Sequence, residues 1–262
     1  MIIGAILRKF SKIELSTADE KYYTLKNNFV TKLALRLIGL PHLGFRTRAK
    51  IILRETLQSP KLTHILDAGC GYGLYALTLA ENEYYVDALD LDRKRINNLN
   101  TLCQESDVTS KYIHTYQGSL AALPFSNNVY DLIICSDVIE HITDDQAAVK
   151  ELARVLKPGG RLILSVPYNS RHNRNIFKMF GHERPGYTKE ALTALVGANG
   201  LCLKKDFCYE YWLGTRLFEF FNSLNSKVLM GILFYPCYGL YLIDKLLAIG
   251  EPNGIVIIAQ KT

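Results

Sequence analysis

The sequence contains no Cys-x-x-Cys pair, no His/Cys cluster at zinc-ligand spacing, no internal repeat, no low-complexity tract and no Pro/Ser-rich linker. The first two absences exclude zinc ribbons and the common redox motifs. They predict that no metal is held, and six scattered cysteines (Cys70, Cys103, Cys135, Cys202, Cys208, Cys237) fit a reduced cytoplasm. Without repeats or linkers, solenoids and bead-like arrays drop out. The 262 residues then read as one domain over 61–262, with lid or cap helices over 1–60. The opening MIIGAILRKF places a short apolar run before its positive charges, the reverse of a secretory signal, so no export is expected. A net charge of +6 favours anionic partners. Nucleic acid is not favoured among them, because no zinc finger or RNP-type aromatic pattern is present.

What is there is an alternation of short apolar runs with longer amphipathic ones. A helix is predicted over Ser16–Leu40, with Ser16 or Thr17 as its cap and Asp19 and Glu20 in its first turn, and another over Arg46–Leu57. Strands are predicted at His64–Leu66, Tyr85–Leu89, Tyr112–Tyr116, Leu132–Cys135, Leu162–Val166, from Leu201, and at Ile255–Ala259. Helices are expected at Leu74–Glu81, Arg93–Glu105, Asp144–Leu156 and Thr188–Ala198. Thr143 with Gln146 suits a capping box for the third of these, and Lys157-Pro158-Gly159-Gly160 suits its stop. The pattern is that of a parallel sheet covered on both faces.

Gly69, Gly71 and Gly73 follow the first strand directly, where a sharp turn must let the backbone approach a ligand closely. Asp90 closes the second strand, where a carboxylate can accept both hydroxyls of a ribose. The alternative, a merely tight turn, leaves the acid unexplained. A dinucleotide fingerprint would want Gly or Ala at its sixth position, where this chain has Leu74, and Asp67 would repel a pyrophosphate while suiting a cationic ligand.

ILDAGCGYG, ALDLD, LPFSNNVYDLIICSDVIEHI and ELARVLKPGGRLILSVP resemble successive motifs of the class I S-adenosylmethionine-dependent methyltransferases, especially the group that acts on small molecules, quinones, lipids and sugars. The resemblance covers about Leu62 to Leu203. It implies an α/β, doubly wound, Rossmann-like fold whose seven-stranded sheet is mostly parallel with an antiparallel last strand. It implies S-adenosylmethionine as cofactor and S-adenosylhomocysteine as product. Residue by residue, it implies that Gly69, Cys70 and Gly71 line the methionine part, that Asp90 holds the ribose with Leu91 against adenine, and that backbone at Cys135 meets the amino group. Leu120 would add a backbone contact to adenine. Where the group commonly has an acid, this chain has Ser119, whose hydroxyl accepts a hydrogen bond more weakly.

A sulfonium methyl is already electrophilic, so the protein has chiefly to align the nucleophile and exclude water. Were the acceptor a hydroxyl, His141 would be the best-placed base, the alternative being that Glu140 and His141 only shape the pocket. His172 and His182 sit on a loop, where a solvated role is the default. Asn169–Lys178 with His182, Glu183 and Arg184 form a polar, basic insertion suited either to an anionic group on the acceptor or to solvent.

Between Trp212 and Gly250 lies an apolar addition. Its uncharged stretch, Val228–Ile243, is sixteen residues long with Pro236 inside, short of the roughly twenty that a spanning helix needs. Two helices are expected there, capping the substrate pocket or lying in a membrane interface with help from Lys227 and Lys245. Core packing or a dimer contact is the plainer alternative, in a chain expected as monomer or homodimer. The addition favours a lipid, isoprenoid or quinone-like acceptor and a cytoplasmic protein peripheral to the inner membrane face. The amino-terminal helix, with Tyr22 and Tyr23, resembles a cofactor lid. A noncatalytic membrane-associated or partner-binding module is the second reading, left open by Ser119.

Overall fold

Runs rich in Ile, Leu, Val and Tyr build the sheet of the computed structural model, which describes residues 43–60, 63–104, 107–223 and 227–262. The strands are β1 (His64–Ala68), β2 (Tyr85–Asp90), β3 (Ile113–Gln117), β4 (Tyr130–Ser136), β5 (Leu156–Pro167), β6 (Leu201–Tyr209) and β7 (Gly254–Lys261). The helices that alternate with them are α1 (Leu43–Thr56), α2 (Leu74–Ala80), α3 (Arg93–Gln104), α4 (Asp107–Tyr112), α5 (Asp145–Val155), α6 (Arg171–Ile176) and α7 (Lys189–Gly197). The apolar addition forms α8 (Trp212–Ser223) and α9 (Lys227–Leu247). The helix expected over Ser16–Leu40, with Tyr22 and Tyr23, lies outside the described residues.

The strands run in the order β3-β2-β1-β4-β5-β7-β6, every neighbouring pair parallel except those of β7, which is antiparallel to both β5 and β6. Strand order reverses between β1 and β4, and a crevice opens at the carboxyl ends of strands at such a point. The central strands are buried on both faces, as their continuous apolar runs require. Leu66, Leu89, Ile133, Leu164 and Ile257 join Val149 and Leu152 of α5 and Leu192 and Val196 of α7 in one core. Two compact units divide the chain: Met1–Thr47 with Glu210–Gly250, and Arg48–Tyr209 with Glu251–Thr262.

Two local expectations are corrected. Helix α5 starts one residue later than a Thr143 cap would allow, so Asp144 caps it, accepting from Ala147 N at 2.9 Å. Gln146 instead accepts from Asn199 Nδ2 at 3.1 Å. Lys157-Pro158-Gly159-Gly160 does follow the end of the helix, yet it belongs to β5. Leu156 pairs with Tyr130 and Arg161 with Leu132, so the intervening residues loop out as a bulge, with Gly159 at φ 76°.

A polar cluster joins β1, β2, β3 and β4. Asp87 is buried, and the buried Tyr130 hydroxyl donates to its Oδ2 at 2.7 Å, with His64 Nε2 at 3.1 Å from the same oxygen and His114 Nδ1 at 3.4 Å from Oδ1. Burial pushes the Asp87 carboxyl up, but the hydrogen bonds from His64 and Tyr130 outweigh it and hold the group below its ordinary value. A carboxyl depressed in the folded state stabilises above its unfolded pKa and loses that contribution as pH falls through the folded one. Tyr130→Phe should therefore lower stability at neutral pH by ~1.5–3 kcal/mol, the worth of a hydrogen bond to a charged group. In denaturant titrations the deficit should shrink as the medium is acidified below pH of about 4. An equal deficit at all pH values would show that Asp87 is not its source.

Candidate functional site

The bend after β1 is fixed by backbone bonds before any ligand is considered. Gly69 N and Cys70 N both donate to Leu89 O, at 2.7 and 2.9 Å, and Gly73 N donates to Cys70 O at 2.9 Å. Asp90 completes it: its Oδ2 accepts from Gly71 N at 2.8 Å and its Oδ1 from Asp92 N at 2.9 Å, while its own carbonyl accepts from Gly118 N.

All three glycines have positive φ, but the space around them differs. A Cβ on Gly69 would come within 2.4 Å of Val138 Cγ2, and one on Gly73 within 2.4 Å of Leu99 Cδ1, whereas one on Gly71 would meet nothing within 4 Å. Gly69 and Gly73 let the bend pack against Val138 and Leu99, whereas a Cβ on Gly71 would point into open space.

Around this bend stand the other expected residues. Leu91 is 70% exposed just past β2, and Leu120 is buried. The Ser119 hydroxyl accepts from Ala121 N at 3.2 Å, so one of its lone pairs is spent within its own turn. Cys70 and Cys135 are buried, and burial pushes both thiols up, which leaves them unreactive. Cys135 lies one residue beyond the last β1–β4 pair, Asp67 with Ile134.

Two carboxyls give the site its electrostatic character. Asp67 is buried at the end of β1, accepting from Ala76 N at 3.1 Å, and burial raises it to about 7. Glu140, in the 3-10 turn Ile139–His141 after β4, is fully buried with no hydrogen-bond partner for either carboxylate oxygen among the described residues, and burial raises it to about 8. A cation not foreseen from the sequence stands near: Arg48 of α1 pairs with Asp137, and its charge also acts on Glu140 and Tyr75. Asp137 is held as well by Ser165 Oγ at 3.1 Å and by its own N–H to Ser165 O. One arginine in a basic helix 89 positions away carries no sequence signal that would have singled it out.

His141 does not stand alone. Its Nδ1 lies 3.1 Å from Gly181 O, and its ring meets that of His182 edge-on at 4.6 Å between centroids. A solvated His182 was expected. Instead the ring is half-buried, and burial together with His141 lowers it to about 4, so it is neutral at physiological pH. Glu140, His141 and His182 each present one ligand atom within 4.8 Å of the others, a set that could hold a metal ion and that a scan for short ligand spacings passes over.

The segment bearing His182 is clamped in place. Glu183 N donates to Glu140 O at 2.9 Å, and Arg184 donates to Ile142 O, Thr143 O and the Tyr187 hydroxyl, each at 2.8 Å, and pairs with Asp145. Arg184 is therefore a clasp rather than a recognition group, while Arg171, Arg174 and Lys178 of the same insertion are exposed.

Residues 66–164 match the family model described as a methyltransferase domain. A ubiquinone biosynthesis O-methyltransferase of Rickettsia conorii is 31% identical over 179 residues, 61% of this chain and 60% of that protein. Its counterpart in Coxiella burnetii is 28% identical over 153 residues, 54% of this chain and 58% of that protein. The chain thus spans between about 40% and 60% of the length of the curated relatives it matches. Among solved structures, a geranyl diphosphate methyltransferase in complex with SAM superposes with a TM-score of 0.67 at 14% identity, over 89% of this chain and 90% of that one. The 4+2 cyclase SpnF superposes with a TM-score of 0.60 at 16% identity, over 82% and 80%. At these identities the likeness is one of fold, and a cyclase among the neighbours illustrates that the fold does not choose the reaction.

The glycines can be told apart by experiment. Gly73→Ala combines a strained φ with a clash against Leu99 and should lower stability by about 2–4 kcal/mol. Gly71→Ala has the strain alone and should lose only about 1–2 kcal/mol. Denaturant midpoints of the two purified variants check this, and equal losses would refute the distinction.

Proposed function

We propose that the chain, whose residues 66–164 match a methyltransferase-domain model, is a class I, S-adenosylmethionine-dependent methyltransferase acting on an oxygen of a small lipophilic acceptor. The observation that carries this reading is the pair of buried, under-compensated carboxyls, Asp67 and Glu140. Near neutral pH both are largely or partly protonated, and a ligand with an ammonium and a sulfonium would stabilise their ionised form. When bound, that cofactor supplies a methyl group already activated toward a nucleophile.

The chain's own part is to hold and to accept. Gly71 presents bare backbone with open space beside it. Asp90 has spent two lone-pair sites on Gly71 N and Asp92 N and keeps the rest for the ribose hydroxyls. Leu91, Ser119 and Leu120 stand for adenine, and Gly69, Cys70 and the Cys135 backbone for the methionine part. A carbonyl can only accept, so the bond to Gly181 O puts the proton of neutral His141 on Nδ1 and leaves the Nε2 lone pair to take the proton of an acceptor hydroxyl. A lipophilic, quinone-like acceptor is supported by the names of the curated relatives and by the apolar addition. Such an acceptor goes with a position at the inner membrane face.

A second reading of the proton step has its own observation. Glu140 is buried without a hydrogen-bond donor beside two imidazoles, and a divalent cation on Glu140, His141 and His182 would acidify the acceptor hydroxyl instead. The electron paramagnetic resonance signal of free Mn2+ should then fall on adding the protein and persist with His182→Ala. Full signal with the unaltered protein would leave His141 as the base.

Calorimetry tests the main reading. Ionised Asp67 binds a cation better than its protonated form does, and its value in the free protein is about 7. Affinity for S-adenosylmethionine should therefore rise between pH 6 and pH 8, by about tenfold for each pH step below that value, with proton release on binding. Asp67→Asn should weaken binding by about tenfold or more and flatten the slope. Absence of heat with both S-adenosylmethionine and S-adenosylhomocysteine would end the proposal.

A further inference from the structure

Helix α9 is amphipathic in the wrong sense for a surface in water. Its inward stripe, Cys237, Tyr241 and Asp244, is buried. The two polar groups on that stripe are used inside the unit: the Tyr241 hydroxyl donates to Thr47 Oγ1 at 2.8 Å, and Asp244 accepts from Tyr211 N and Leu213 N at 2.8 and 2.9 Å. Everything described on the rest of its circumference from Pro236 onward is exposed, and it is apolar: Tyr238, Leu240, Leu242, Ile243, Leu246 and Leu247. Leu246 is 83% exposed, and Ile249 just beyond the helix is 61% exposed. Trp212, 57% exposed, is tied to that end by its N–H to Ile249 O at 3.2 Å. A helix facing water carries its charges outward and its leucines inward. From Pro236 onward this one buries its acid and exposes its leucines, and an apolar surface of that kind marks a docking face.

We infer that the outward face of α9, with Trp212 and Ile249 at its end, docks on an anionic phospholipid surface. Charge singles out this occupant. The helix has three charged residues, Lys227, Asp244 and Lys245, and the one acid is the buried one. It therefore exposes no carboxylate to oppose phosphate headgroups, in a chain of net charge +6. A tryptophan beside leucines suits the boundary between headgroups and acyl chains. No helix among the described residues is long and apolar enough to cross a membrane, so the contact is one that lies on the surface. The inference rests on the lipophilic acceptor proposed above only for its purpose, since the face is seen independently of the methyl-transfer site.

Flotation of the full chain with vesicles tests it. The chain should float with phosphatidylglycerol–phosphatidylcholine vesicles, and the double variant L246E/I249E should float about tenfold less or worse. S-adenosylmethionine binding heat, unaltered in the variant, shows that the other unit remains folded. The inference is overturned if the unaltered chain stays in solution, or if the variant floats equally well. It is also overturned if the chain is a dimer that the variant splits, or if only a chain lacking residues 1–42 floats, for then a second copy or the chain itself covers the face. Flotation without any cofactor heat would leave the docking face standing and remove the methyl-transfer reading, and heat without flotation would do the opposite.

Discussion

Asp90 is the knot on which the site depends. Its carboxylate holds Gly71 N and Asp92 N, and its carbonyl holds Gly118 N, so one residue joins the bend after β1, the end of β2 and the end of β3. Each strand end would otherwise leave a backbone donor at the edge of a buried sheet, where an unpaired donor is costly. The bend is thereby rigid before a ligand arrives. Its bare backbone is aimed by hydrogen bonds rather than by contacts with the molecule it is to bind, and that spares the binding step the entropy of ordering it.

Against that rigid frame, Asp67 and Glu140 are buried carboxyls that a cationic ligand would draw into their charged form. Asp67 has no cation among the groups that act on it, and Arg48 and Arg184, paired with Asp137 and Asp145, only partly offset the burial of Glu140. A carboxyl raised in the folded state lowers stability as pH rises through the interval between its unfolded and folded values. The fold accepts that penalty at Asp67 and Glu140, which flank the strand-order reversal. Stability surrendered at one location is the usual mark of a site made for a partner, here one that brings positive charge.

The fold was largely legible because the information lay in local pattern. Short apolar runs bounded by glycine and proline mark strands buried on both faces, and ILDAGCGYG with Asp90 shows the bend at a spacing that few other structures need. What stayed hidden depended on tertiary neighbours. That Gly69 and Gly73 answer to Val138 and Leu99, while Gly71 answers to open space, follows from packing between segments far apart in the chain. His182 was assigned to solvent because a loop histidine usually is solvated, and its burial comes from Arg184 and Glu183 drawing the segment onto the Glu140–His141 turn. The Pro-Gly-Gly run illustrates another limit: the same residues that end a helix also make a bulge, and only the pairing of Leu156 with Tyr130 decides that the strand has already begun.

The inside-out polarity of α9 bears on the choice of acceptor. Asp244 is buried and caps the start of α8 through Tyr211 N and Leu213 N, and together with the Tyr241–Thr47 bond it fixes which side of α9 faces in. Turning the helix to hide its leucines would strand those donors and bury no compensating partner, a loss of a few kcal/mol that apolar burial would have to exceed. The outward leucines are thus held outward by hydrogen bonding, not left there by a weak preference. On the docking inference above, an acceptor dissolved in a bilayer would give such a surface a purpose, since a protein resting on the leaflet would meet it at the concentration of the membrane phase rather than of water.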